Sequence, residues 1–236
     1  MTHRKLFSIS LAILTLAAAT FFIGCEEEKT APATEQEKAP AKESAPAPQP
    51  KAAKPAPVPT PTPTPAPKPI ASLVTVKLQT TMGDIVLELN KTAAPITVEN
   101  FLTYTRQGTY NGTIFHRVIP NFMIQGGGFV ENMTKKPVNA PIVNEASNGL
   151  KNLRGTIAMA RTSNPNSATN QFFINHKDNF NLDYRGANSP GYAVFGKVVS
   201  GMSVVDAIAA VPTATRGRMG NVPVEPIIIK SATRLR

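Results

Sequence analysis

The densest concentration of side chains able to do chemistry lies in one stretch, Phe115-His116-Arg117-Val118-Ile119-Pro120-Asn121-Phe122-Met123-Ile124-Gln125-Gly126-Gly127. An arginine, a glutamine, aromatic rings and a methionine stand close enough there to form an apolar pocket with a polar rim. On extended backbone Arg117 and Ile119 share one face, and Met123 and Gln125 share another. Three later segments have similar character: Met159-Ala160-Arg161, Gln171-Phe172-Phe173-Ile174-Asn175 and Val194-Phe195-Gly196-Lys197-Val198. The plainer reading is that all of these are strand residues filling a core. Residue types alone leave both readings open.

Other chemistries find little support. The glycine run Gly126-Gly127-Gly128 is followed by Phe129, and no Gly-Lys-Ser/Thr appears, so it is not a phosphate loop. No Gly-x-Ser-x-Gly elbow and no His-Glu-x-x-His is present. A serine triad would need His116 or His176, and neither has a local signature. One cysteine and three histidines, one of them His3, argue against disulfides and against Cys- or His-rich metal sites. The reading therefore requires no metal and no cofactor. The chain carries a formal charge of +10, but its basic residues are scattered rather than interleaved with aromatics, which argues against nucleic-acid binding.

The elements that must position these residues begin near Ile70. Leu73-Val74-Thr75-Val76-Lys77-Leu78 and Ile85-Val86-Leu87-Glu88-Leu89 flank a turn at Thr80-Thr81-Met82-Gly83-Asp84 and read as a hairpin. Pro95 opens a helix whose Val98, Phe101, Leu102 and Thr105 share one face, with Gly108 at its C-terminal stop. Further strands are expected at Phe115–Ile119, Met123–Gly126, Thr156–Met159, Phe172–Asn175, Tyr192–Val199 and Ile227–Ala232, and a second helix at Ser203–Ala210. Eight short strands and two helices are too tightly spaced for βαβ repeats. A mainly β barrel or sandwich with helices at its ends fits better.

The first 70 residues differ in kind. Arg4 and Lys5 precede an apolar run from Leu6 to Ile23 that ends at Gly24-Cys25, so residues 1–24 read as a targeting segment. Gly24-Cys25 resembles the lipobox of bacterial lipoproteins, with Phe22 a departure from the usual leucine. The resemblance implies lipidation of Cys25 and a lipid-membrane anchor for the exported chain, on the periplasmic side or the cell surface. Glu26, not an aspartate, follows the cysteine, which favours the outer membrane. A retained membrane helix is the competing reading, because the run approaches the ~18 residues of a minimal span.

Residues 25–70 read as a disordered linker rich in proline, alanine, lysine and glutamate. Thirteen of the 22 prolines fall between Pro32 and Pro69, alternating from Pro55 onward. A pre-proline residue avoids the α region, so this tract is expected to be a semi-rigid polyproline II spacer with a reach of roughly 130 Å at most. Residues 71–236 are the expected folded domain.

The segments Phe115–Gly127, Gly155–Ala160, Gln171–Asn175 and Val194–Val198 closely resemble the cyclophilin family of peptidyl-prolyl cis-trans isomerases, in register from about residue 73 to 236. The resemblance implies a closed eight-stranded antiparallel β-barrel capped by two α-helices. It also implies rotation of X-Pro bonds on the barrel's outer face without cofactor or covalent intermediate. By the same resemblance Arg117 is the catalytic arginine, and Phe122, Met123, Phe173 and Leu182 receive the proline ring. Gln125 and Gln171 form the polar rim, and His116 precedes the arginine as in the family. Ala160, Arg161 and Thr162 match the stretch whose backbone pairs with the extended peptide, with Arg161 where asparagine is frequent. Tyr192 is the last aromatic of the site. Asn181 stands where many members carry tryptophan or phenylalanine, and Phe180 is one residue away. That departure bears on cyclosporin-type ligands, for which weak binding is implied.

Implied partners are proline-containing polypeptides that fold outside the cytoplasm. A membrane-tethered binding module or chaperone for such proteins, with incidental catalysis, is the second reading. The anchor is tested by metabolic labelling with a fatty-acid analogue. Wild type is expected to take up label and to begin at Cys25, whereas Cys25→Ala takes up none. A wild-type chain that keeps its first 24 residues and no label would favour the retained helix.

Overall fold

The computed structural model describes residues 72–235, so Cys25, the targeting segment and the linker lie outside the described residues. The chain opens with β1 (Leu73–Thr80) and β2 (Gly83–Asn90), paired along their whole length from Leu73↔Asn90 to Thr80↔Gly83. Val74, Val76 and Leu78 face inward with Ile85, Leu87 and Leu89, as period-two alternation requires.

Helix α1 (Pro95–Arg106) starts at a proline whose missing N–H costs nothing in the first turn. Its next two free donors, Ile96 N and Thr97 N, reach the Glu145 carboxylate at 3.1 and 2.7 Å, so a distant acid caps the helix and meets its positive end. Gly108, at φ +66°, turns the chain out of the helix.

The remaining strands are β3 (Thr113–Ile119), β4 (Met123–Val130), β5 (Thr156–Met159), β6 (Phe172–Asn175) and β7 (Val194–Ser200). Then come α2 (Met202–Ala209), a small hairpin of β8 (Thr213–Arg216) and β9 (Met219–Pro223), and β10 (Ile228–Arg234). Eight strands close into a barrel in the order β1-β10-β3-β4-β6-β5-β7-β2, every pair antiparallel. A barrel of this size is just wide enough for side chains to fill. Phe101 from α1 sits among Tyr110, Phe172 and Phe195 at ring separations of 4.9, 5.6 and 5.3 Å. Val205, Ile208 and Ala209 of α2 join the same cluster.

The barrel and both helices match the expectation, with shifts at the edges. The strand expected from Tyr192 begins at Val194, and the second helix runs from Met202 to Ala209. The β8–β9 hairpin was not expected. Its residues are mostly exposed, with Val222 and Pro223 the buried pair, so no apolar alternation marks it.

His116 lies fully buried in β3, its ring 4.7 Å from that of Phe129. Burial pushes its pKa down to about 4, against the opposing pull of the Ile114 backbone and the Gln171 side chain. The unfolded chain takes up this proton near pH ~6.5 and the folded chain does not until about 4, so stability is lost as pH falls through that window. Replacing the ring by His116→Leu should flatten this dependence. In urea unfolding the variant is expected to lose roughly 2 kcal/mol less than wild type between pH 7 and 4.5. Equal losses would contradict it.

Candidate active site

In β3 and β4 the register runs Phe115↔Gly126 and then Arg117↔Gln125, so His116 is an extra residue opposed by none. Such a bulge reverses the alternation of side chains. Phe115 and Val118 both enter the barrel core, while Arg117 and Ile119 turn outward. Ile119 pairs with Met123 and Arg117 with Gln125, so the two pairs read separately from sequence occupy one outer face. Ala158 of β5, Phe173 of β6 and Val194 of β7 extend that face, and with Met123 they form a second apolar cluster distinct from the barrel core.

A depression of about 100 Å³ opens over this cluster, lined by Arg117, Phe122, Met123, Gln125, Ala160, Arg161, Phe173, Leu182 and Tyr192. At its wall the Arg117 guanidinium approaches the Gln125 side-chain oxygen at 3.5 Å, and the Gln125 amide donates to the Gln171 oxygen at 3.0 Å. Gln171 lies over the bare Cα of Gly128, where a Cβ would stand 2.5 Å from its Cγ. The glycine run thus makes room for a glutamine chain that aims the arginine.

On the opposite wall Arg161 donates to the Gly191 carbonyl from Nε at 3.0 Å and from Nη2 at 2.8 Å, and its guanidinium sits 4.4 Å over the Tyr192 ring. Gly191 has φ +58°, and a Cβ there would run into the Asp183–Tyr184 backbone. Tyr192 in turn meets Phe173 edge-on at 5.6 Å. Among the described residues neither Arg117 nor Arg161 has a carboxylate partner.

Phe122 and Leu182 are held from below by buried polar residues. The Phe122 carbonyl accepts from Asn179 Nδ2 at 2.8 Å and from the His176 backbone at 2.9 Å. Asn179 also donates to Asn175, and Asn175 to Asn152. Asn152 donates through its backbone and side chain to Asp183, at 2.8 and 3.1 Å, next to Leu182. The side-chain nitrogens of Asn152, Asn175 and Asn179 all donate within this network, which makes it rigid, while Asn179 Oδ1 is buried without a partner among the described residues.

Of the residues expected at the site, Thr162 and Gln171 line an adjoining depression of about 220 Å³ that shares Gln125, Ala160 and Arg161 with the first. His116 lines neither, being buried beside Phe129. Phe180 is 55% exposed and lines neither depression, so it does not replace the aromatic absent at Asn181. Ser167 and Thr169, which line the second depression, went unanticipated, as did the supporting Asn179 and Gly191. The only signal for Ser167 is its place in a polar run, where its hydroxyl closes the loop onto Thr162 N at 2.9 Å.

Residues 75–234 match the family model described as cyclophilin type peptidyl-prolyl cis-trans isomerase/CLD. A peptidyl-prolyl cis-trans isomerase of Acinetobacter baylyi is 60% identical over 156 residues, 66% of this chain and 82% of that protein. Peptidyl-prolyl cis-trans isomerase B of Escherichia coli is 55% identical over 160 residues, 67% of this chain and 98% of that protein. Among solved structures, a cyclophilin type isomerase from Cryptosporidium parvum, crystallised in the presence of the dipeptide Ala-Pro, aligns with a TM-score of 0.57 at 28% identity. It covers 69% of this chain and 99% of its own.

Gly128→Ala tests the glutamine chain. The new Cβ must displace Gln171, so the side-chain amide resonances of Gln171 and Gln125 are both expected to move. Unshifted amides in a folded variant would contradict the packing.

Proposed function

The chain belongs to the cyclophilin-type peptidyl-prolyl cis-trans isomerases, and from that premise we propose that the Arg117 depression is where it rotates X-Pro bonds. The observation that carries this reading is a guanidinium without a carboxylate partner among the described residues, set in the wall of a small apolar pocket and steadied by Gln125.

The chemistry to be done is rotation against amide resonance, a barrier of ~18–20 kcal/mol. As the bond twists, the prolyl nitrogen becomes pyramidal and recovers a lone pair. A guanidinium offers N–H donors and no acceptor, so Arg117 suits that lone pair. The planar amide offers no such acceptor. The hydrogen bond therefore forms in the transition state and not before, which is how binding energy lowers a barrier. Phe122, Met123, Phe173 and Leu182 hold the pyrrolidine ring, and Gln125 and Gln171 hold the flanking carbonyl. The backbone at Ala160, Arg161 and Thr162 pairs with the extended peptide. No proton changes hands, and no acid–base pair is required.

A docking module would use the apolar depression but has no need of an arginine in its wall that meets only a neutral glutamine oxygen among the described residues. The exposed Phe180 and Asn181 leave that side of the pocket without an aromatic wall, consistent with weak binding of cyclosporin-type ligands. In the cell we place the domain outside the cytoplasm, held to a lipid membrane through Cys25 and the proline-rich spacer. There it acts on exported proteins whose folding waits tens of seconds on prolyl bonds.

Arg117→Ala should keep the far-UV circular dichroism of wild type while its kcat/KM for a proline tetrapeptide falls about a hundredfold or more, the usual cost of one preorganised donor. Undiminished activity would remove Arg117 from the reaction.

A further inference from the structure

Phe122 closes the turn Ile119-Pro120-Asn121-Phe122, whose proline at the second position and asparagine at the third suit a left-handed third residue. Asn121 is exposed and at φ +55°, a left-handed conformation that asparagine tolerates and most residues do not. The turn's own backbone bond, Phe122 N to Ile119 O, is 3.2 Å long. The amide of Asn121 points away from the turn, to the side chain of His176, and donates to its Nδ1 at 3.0 Å.

The other nitrogen of that ring, Nε2, lies 3.1 Å from Asp206 Oδ1 on helix α2. Asp206 is fixed in turn by Arg154 Nη2, at 2.8 and 2.9 Å to its two oxygens, and Arg154 Nη1 donates to the His176 carbonyl at 2.7 Å. Asp178, the other acid of this corner, accepts from the Arg154 backbone at 2.7 Å. Only the imidazole with its proton on Nε2 satisfies both neighbours, accepting at Nδ1 and donating to Asp206. The ring is half-buried and lines neither depression.

We infer that His176 is a positioning residue of the prolyl pocket: its Nδ1, with the ring oriented by Asp206 at Nε2, accepts from the Asn121 amide and holds the left-handed turn carrying Phe122, and so sets how tightly the pocket grips the proline ring. It touches no substrate. The inference rests on the reading that the Arg117 depression takes that ring.

Asparagine and glutamine separate the two halves of the imidazole. In His176→Asn the amide oxygen takes the place of Nδ1 and can still accept from Asn121. In His176→Gln the longer amide reaches the position of Nε2, toward Asp206, and leaves the Asn121 amide without its acceptor. The experiment is steady-state isomerisation of a proline tetrapeptide by the full chain, per folded molecule, with thermal midpoints recorded beside it.

His176→Gln is expected to raise KM about fivefold or more with kcat within twofold of wild type. His176→Asn should bring KM back to within twofold. A wild-type KM in His176→Gln, or equal impairment of KM in both variants, overturns the inference. So does a parallel fall of kcat and thermal midpoint in both, which is what a merely structural histidine would give. Phe122→Ala is the control for the pocket itself. If it leaves KM unchanged, the pocket reading has failed; if it raises KM while His176→Gln does not, only the role of His176 has failed.

Discussion

A β-strand alternates its side chains without exception unless a residue is added or removed, and the whole active face depends on one such addition in β3. Phe115 must enter the core to meet Phe172, at a ring separation of 6.3 Å, and Val118 must enter it three residues later. Strict alternation would send Arg117 inward with Phe115 and bury a guanidinium in an apolar barrel, at a cost no partner there could offset. The bulge at His116 resolves the conflict. It turns Arg117 outward opposite Gln125 and leaves the bulged residue itself as a buried, neutral histidine against Phe129.

The outer face then needs rigidity without charge pairing. A carboxylate beside Arg117 would occupy its donors in the ground state and, in the proposed mechanism, cancel the advantage of releasing them to the twisted bond. The structure instead aims it with neutral oxygens, through Gln125 and Gln171, and holds Arg161 by the Gly191 carbonyl and the Tyr192 ring. Behind the pocket, Asn152, Asn175 and Asn179 and the carboxylate of Asp183 do the same for the backbone that carries Phe122 and Leu182. The depression is thus apolar in its floor, cationic in its walls and steadied by amides.

Much of this was legible in the residues, because short-range signals carried it. Alternation marked β1 and β2, the Pro95 start and Gly108 stop framed α1, and the stretch from Phe115 to Gly127 is distinctive enough to identify a family. What escaped was whatever depends on contacts between distant segments. The bulge at His116 cannot be seen in β3 alone, so the shared face of Arg117 and Met123 was divided in two. Whether Phe180 replaces the missing aromatic could not be read from its place one residue before Asn181, and its position in a short turn leaves it in solvent. Asn179, His176 and Gly191 support the pocket only through partners dozens of positions away. The β8–β9 hairpin gave no periodic signal because it buries little.

In the proposed mechanism Arg117 acts on the twisted bond and not on the resting peptide. Line-shape analysis of a saturating X-Pro peptide separates the two, since it reads both the affinity and the cis–trans exchange rate on the protein. Arg117→Lys keeps a positive charge but replaces the planar fork by a point donor. The prediction is a dissociation constant within about threefold of wild type and an exchange rate at least ~10-fold slower. An unchanged exchange rate with weakened binding would contradict the account and make Arg117 a residue that merely holds the peptide.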